Sequence, residues 1–167
     1  MIILGIDPGY AIVGYGIIEF RCGKYIPLGY GAILTDSKYN FFNRLEIIHS
    51  EILKITDKYK PDVSSIEKLY FQNNHKTAID VAQARGVTLL ALKQNKIPIF
   101  EYTPLQVKTA VTGYGKAQKS QIMMMVQRLL CLKEIPKPDD TADALAIAIC
   151  HANSLGYQYI NQKCLKV

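Results

Sequence analysis

Four acidic residues in this chain have the types and spacing to do chemistry together. Asp7 closes the apolar run MIILGID and precedes Pro8-Gly9, Glu67 ends VSSIE, and Asp140 and Asp143 open DDTADALAIAIC. Carboxylates at two strand ends, with a pair three apart on one helix face, can converge on a single point. An oxygen-only donor set suits hard divalent cations such as Mg2+. Two such ions about 3.5–4 Å apart would activate a water for in-line attack on phosphorus and stabilise the leaving 3′ oxygen, with no covalent intermediate. Taken singly, each acid has plainer roles open to it. Asp7 can start a turn, Glu67 can pair with Lys68 or a nearby Arg, and Asp140 can cap a helix. Asp143 lies one turn inside its helix, and Asp139, offset around it, is assigned to capping. Gly14 and Gly16, in the run after Asp7, leave space for a bulky group to approach. Asp62 reads as a strand-start residue.

The rest of the chain is basic. Lys and Arg number 20 against 14 Asp and Glu, a net charge of +6. If four of those 14 acids gather in one pocket, ten remain to face the 20 cations elsewhere. A negative hole in a positive face would attract a polyanion and load metal. Metal-dependent cutting of nucleic acid is the chemistry this balance favours. Length fits one ordinary domain with its own core. Cys22, Cys131, Cys150 and Cys164 lack zinc or redox spacing, and Cys131 and Cys150 fall in apolar helical patterns as small core residues. Reduced thiols and a cytoplasmic location are expected, with no leader, anchor or membrane span. No Ser-His-Asp or Cys-His arrangement is evident, and His49, His75 and His151 stand apart from one another and from the acids.

The elements that must position these acids follow from periodicity. Residues 2–7 read as a strand buried on both faces. Residues 12–20 and 25–34 complete an antiparallel meander, with Pro27 marking an irregular start or an edge. Residues 41–58 form an amphipathic helix through Leu45, Ile48, Ile52 and Ile55. A short strand ends at Glu67. A helix over 76–94 runs through Ile79, Ala82, Val87, Leu90 and Leu92, and a strand follows at 97–101. Thr103-Pro104 starts a short helix, and residues 112–117 form a glycine loop. A helix over 118–132 buries Ile122, Met125, Val126 and Leu129. The last helix runs from about 139 to 154, where Ala142, Ala144, Ala146 and Ala148 allow tight packing on the sheet. A nuclease domain over 1–155 would leave a tail, 156–167, with no clear period and poor order. Alternation of helix and strand after residue 40 implies an α/β fold with a mixed or parallel sheet.

The motifs GIDPG, IEKLYF, AQARG, KSQ and DDTADALAIAICH, in this order over about residues 2–151, resemble those of the bacterial crossover junction endodeoxyribonuclease family, RuvC. The resemblance implies a ribonuclease H-like fold, a five-stranded mixed sheet with helices on both sides. It implies a homodimer that resolves four-way (Holliday) junction DNA by paired symmetric nicks in recombination and repair. Two Mg2+ ions per active site, replaceable by Mn2+, would be held by Asp7, Glu67, Asp140 and Asp143 as the catalytic carboxylates. Partnership with a branch-migration motor of the RuvA and RuvB type is also implied.

Tyr70 and Phe71 match a family aromatic pair that engages bases, with Tyr70 standing where many relatives carry Phe. Asn73 and Lys76, in the polar stretch that follows, are assigned to the same DNA-binding surface. Lys108 and Lys119 match basic positions that contact the DNA backbone. Lys116 joins them on the loop Gly113-Tyr114-Gly115, where three cations around one turn suit phosphate binding. Arg85, in AQARG, is given a structural role, and helix 76–94 is the candidate dimer interface. Two other readings compete: a ribonuclease H-like nuclease acting on structured RNA, and a junction-binding protein without catalysis.

Overall fold

The structure, a computed structural model, describes residues 1–69 and 75–164, the side chains of residues 75–77 and 156–164 excepted. Strands β1 (Ile2–Asp7), β2 (Ile12–Arg21) and β3 (Lys24–Leu34) form the meander. Then follow α1 (Phe41–Tyr59), β4 (Val63–Glu67), α2 (His75–Gln94), β5 (Ile99–Tyr102), α3 (Pro104–Thr112), α4 (Lys119–Leu129) and α5 (Asp139–Cys164). The five strands make one sheet in the order β3-β2-β1-β4-β5. Pairing is antiparallel from β3 to β1 and parallel from β1 to β5. The five-stranded mixed sheet between two helical layers is the arrangement the sequence implies.

β1 lies at the centre, which is why its sequence is apolar without alternation: Ile3, Leu4 and Ile6 are fully buried. One face of the sheet packs on α1 and α2 through Leu4, Ile6, Ile17, Ile48, Ile52 and Leu92. The other packs on α3, α4 and α5 through Ile3, Ile18, Val107, Val126, Leu145 and Ile149. Asp62 accepts a hydrogen bond from the Ile2 N–H at 2.7 Å and so ties the start of β4 to the start of β1. β3 is an edge strand, and its register shifts opposite Ile17/Ile18 beside Pro27. A proline that cannot donate to the ladder is tolerated at such a place. α1 is capped by Asn40, whose side chain accepts the Asn43 N–H. α3 opens with a Thr103/Gln106 capping box and Pro104 in its first turn.

Two expectations need correction, and α2 resolves a face that the pattern left open. α2 carries Ile79, Ala82 and Leu90 on its outer side. Its inward face is Ala84, Thr88, Ala91 and Leu92, while Ile79 is 66% and Leu90 54% exposed. Its apolar residues lie all round the helix, so the pattern alone cannot choose a face. The last helix continues past 154 to Cys164. Cys131 lies beyond the end of α4 with a left-handed φ of 51° and is exposed, whereas Cys150 is buried in α5. Among the described residues no helix is long and apolar enough to cross a membrane.

Candidate active site

Parallel pairing of β1 and β4 matches Ile6 with Ile66, so Asp7 and Glu67 emerge side by side at the same sheet edge. Open α/β sheets present ligand sites at this edge. α5 adds the other two acids by lying directly on bare backbone. A Cβ on Gly5 would stand 2.1 Å from the Ala144 carbonyl oxygen, and one on Gly14 2.0 Å from that of Asp140. Gly14 is also the β2 partner of Asp7. The bulky group that the glycines admit is therefore the helix itself, and its approach delivers Asp140 and Asp143 to Asp7. Ser65 reinforces the contact with hydrogen bonds to Leu4 O at 3.4 Å and Ile147 O at 3.3 Å.

The resulting electrostatics are those of crowded, buried carboxylates. Burial, together with Asp143, Glu67 and Asp140, pushes the Asp7 carboxyl up to about 8, against a small opposing pull from Lys119. Burial and then Asp143 raise Glu67, and Lys108 offsets part of this. Burial also raises Asp143, although Lys119 opposes it. A cleft of about 220 Å³ opens beside the acids, lined by Glu67, Asp143, Lys108 and Lys119 with Val107 and Ile147 among its apolar walls.

The structure gives one of the predicted DNA-binding lysines carboxylate partners within the chain. Lys119 Nζ stands 3.1 Å from Asp143 and 3.4 Å from Asp139. Burial lowers its pKa, but the hydrogen bonds and charge of these two acids outweigh that and leave it raised. Asp139, assigned to capping, is thus a partner of Lys119. Lys108 is half-buried over Glu67, and Lys116 is exposed on its loop. Sequence spacing cannot see these pairings, because α4 and α5 meet only in the fold. Tyr70, Phe71 and Asn73 lie outside the described residues, as does the side chain of Lys76. Arg85 pairs with Glu101 and ties α2 to β5, in keeping with a structural role. His151, isolated in sequence, is buried against Tyr102 and Phe100, away from the acids.

Four carboxylates around a buried centre fit hard divalent cations by donor chemistry and by charge. Among the described residues, however, no three acidic, imidazole or thiol side chains already gather at ligating geometry.

Comparison with known proteins agrees with this geometry. Residues 3–151 match the family model described as crossover junction endodeoxyribonuclease RuvC. The protein of that name from Halothermothrix orenii is 60% identical over 92% of this chain and 93% of its own length. The one from Fusobacterium nucleatum is 60% identical over 93% of this chain and 82% of its own length. Among solved structures, Thermus thermophilus RuvC in complex with a Holliday junction substrate superposes with a TM-score of 0.86 at 34% identity, covering 91% of this chain and 93% of that one. The yeast mitochondrial Holliday junction resolvase, at 14% identity and a TM-score of 0.67 over 99% of this chain and 86% of that one, shares the fold.

Proposed function

The chain belongs to the RuvC family of crossover junction endodeoxyribonucleases, and on that premise we propose that it resolves four-way DNA junctions by metal-dependent hydrolysis, with Asp7, Glu67, Asp140 and Asp143 as the catalytic carboxylates. The observation that carries this reading is the convergence of the four acids, with Asp7 and Glu67 on neighbouring strand ends and α5 seated on Gly14 beside them. A carboxyl held up to about 8 by burial and three other acids marks a centre built for cations. Asp7, Glu67, Asp140 and Asp143 would hold two Mg2+ ions, with Mn2+ able to replace them. Bound there, such ions supply an activated water and neutralise charge on the attacked phosphate.

The chain's own residues do the rest. β1 and β4 fix Asp7 and Glu67 at the sheet edge, and the α5 contact fixes Asp140 and Asp143 over them. Lys119 orients Asp143, and with Lys108 it gives the cleft a cationic rim that steers a phosphate to the acids. Exposed Lys116 adds backbone affinity without sequence readout. Tyr70, Phe71, Asn73 and Lys76 complete the DNA-binding surface on the strength of the resemblance, the aromatics by stacking on bases.

Paired symmetric nicks need two active sites related by a two-fold axis, and the outward apolar face of α2 supports a homodimer there. A motor of the RuvA and RuvB type is the partner expected at the junction, in the cytoplasm. Residues 1–155 form the nuclease domain in this reading.

The test is a synthetic four-way junction in Mg2+ with wild type, Asp7→Asn and Glu67→Gln. Wild type should nick two opposed strands symmetrically, while both variants bind and leave the DNA intact. Cutting of plain duplex or of RNA in place of junctions would overturn the substrate assignment. Full activity in either variant would overturn the carboxylate assignment.

A further inference from the structure

The corner where β3 passes into α1 takes no part in the site described so far, yet it shares the site's edge of the sheet. Asp7 pairs with Gly14, Gly14 with Ala32, and Leu34 lies two residues farther along β3 in the same direction. Three large apolar or aromatic residues stand in the open here: Phe42, 77% exposed, Leu34, 66%, and Tyr39, 52%. Behind them Arg44 is only 9% exposed. Its Nε donates to Thr35 Oγ1 at 2.9 Å and an Nη to Tyr10 O at 3.3 Å. Its guanidinium carbon sits 4.4 Å from the Tyr10 ring centroid. Tyr10 packs on Phe41 and Phe41 on Phe42, each with ring centroids 6.2 Å apart. A continuous aromatic path therefore leads from a buried cation to solvent, three residues from Asp7.

Arg44 has no carboxylate within ion-pair distance among the described residues. Asp36 turns its Oδ1 to the Lys38 N–H, and Glu46, exposed, is two residues on and so round the other side of α1. A buried cation without a counter-ion is costly. Its hydrogen bonds explain how it joins the turn after β1 to α1, but not the bare aromatics in front of it. Rings leading outward from a desolvated guanidinium are chemistry that receives a nucleotide, base on the outer ring and phosphate in the cation's field. A branch point, where base pairs part, offers unstacked bases of this kind.

We infer that this corner is a second nucleotide subsite, on the β3 side of the carboxylates, taking an unstacked base on Phe42 and Tyr39 and its phosphate in the field of Arg44. The inference rests on the reading of the chain as a junction nuclease.

The experiment measures binding of a four-way junction and of plain duplex by fluorescence anisotropy, without divalent ions so that cutting does not intrude. Phe42→Ala should weaken junction binding about tenfold and leave duplex binding and the melting temperature unchanged. Phe42→Tyr, which keeps a ring, should bind as wild type does. Arg44→Gln should lower the slope of log affinity against log salt by less than the about 0.7–0.9 of one direct phosphate contact. If that variant melts early, the Phe42 pair decides alone. Junction binding by Phe42→Ala equal to wild type overturns the subsite. So does a change in its oligomeric state, which would make the corner a protein interface. Failure of wild type to prefer junctions would instead sink the functional reading, so the two failures are distinct.

Discussion

α2 and α5 flank the same sheet on opposite faces, and each carries apolar residues all round its circumference. Their fates differ. α5 is buried from Ala144 to Ala152 with scarcely an exposed atom, because sheet, α3 and α4 enclose it. α2 buries Ala84, Thr88, Ala91 and Leu92 against the sheet and leaves Ile79 and Leu90 outside. A helix without a polar face is either enclosed by its own chain or waiting for something else to cover it. The first arrangement makes α5 a rigid carrier for Asp140 and Asp143. The second makes α2 the candidate interface of the proposed homodimer.

Breaking the enclosure of α5 should have the largest effect. Gly14→Val puts a branched side chain where even a Cβ would stand 2.0 Å from the Asp140 carbonyl. The first turn of α5 must lift, taking Asp140 and Asp143 away from Asp7. A displacement near 1 Å is enough to cost on the order of 100-fold in rate, and overpacking adds about 1–3 kcal/mol of instability. Single-turnover junction cutting and thermal melting check both. Retained cutting would mean that α5 reaches the acids by some other contact.

The frame of that site was largely legible in the sequence. The apolar run before Asp7, the strand before Glu67 and the i, i+3 spacing of Asp140 and Asp143 are local signals, and the fold keeps each of them. Relations between distant segments were not legible. Gly14 reads as room for a ligand, because nothing local says that α5 will fill it. Lys119 reads as a free cation for DNA, because its pairing with Asp143 and Asp139 arises only where α4 meets α5. The inward face of α2 was not legible for a similar reason: with Ile79, Val87, Leu90 and Leu92 scattered around it, only the sheet decides which are buried. The corner at Arg44 was missed outright, since a lone Arg in an amphipathic helix gives no hint that it will be buried over Tyr10.

A smaller effect is expected from the other helix. Leu90→Arg places a charge on the exposed face of α2, where the folded monomer tolerates it. Self-association should weaken about tenfold or more, since a charge buried without a partner in an interface is costly. Sedimentation at graded concentrations reads this directly, and the melting temperature of the monomer should not move. Unchanged association would place the dimer contact elsewhere and leave the bare face of α2 without an occupant.

The smallest effect should come from the far end of α5, where polar groups hold the helix that the glycines seat. Ser154 Oγ donates to His151 O at 2.7 Å, so its single hydrogen is used. It must accept from Tyr102 Oη, 2.9 Å away, which uses the tyrosine's hydrogen in turn. His151 Nδ1, 2.7 Å from the same oxygen, is therefore the donor, and Nε2 is a lone pair buried without a partner. Tyr102→Phe removes the link and should cost about 1 kcal/mol, a fall of about 3 °C in melting temperature for a domain of this size. Burial holds His151 below its ordinary pKa. The unfolded chain thus binds a proton near pH 6.5 that the folded chain refuses, so the His151 contribution to stability falls as pH drops through that value, opposed by Asp7, whose raised carboxyl favours the fold as pH falls through about 8. Because burial causes the shift, the acid slope should survive Tyr102→Phe, with melting lowered about equally at pH 8 and pH 6. A deficit seen only at pH 6 would show that the tyrosine acts on a charged imidazole, and the neutral Nδ1–H assignment would fall.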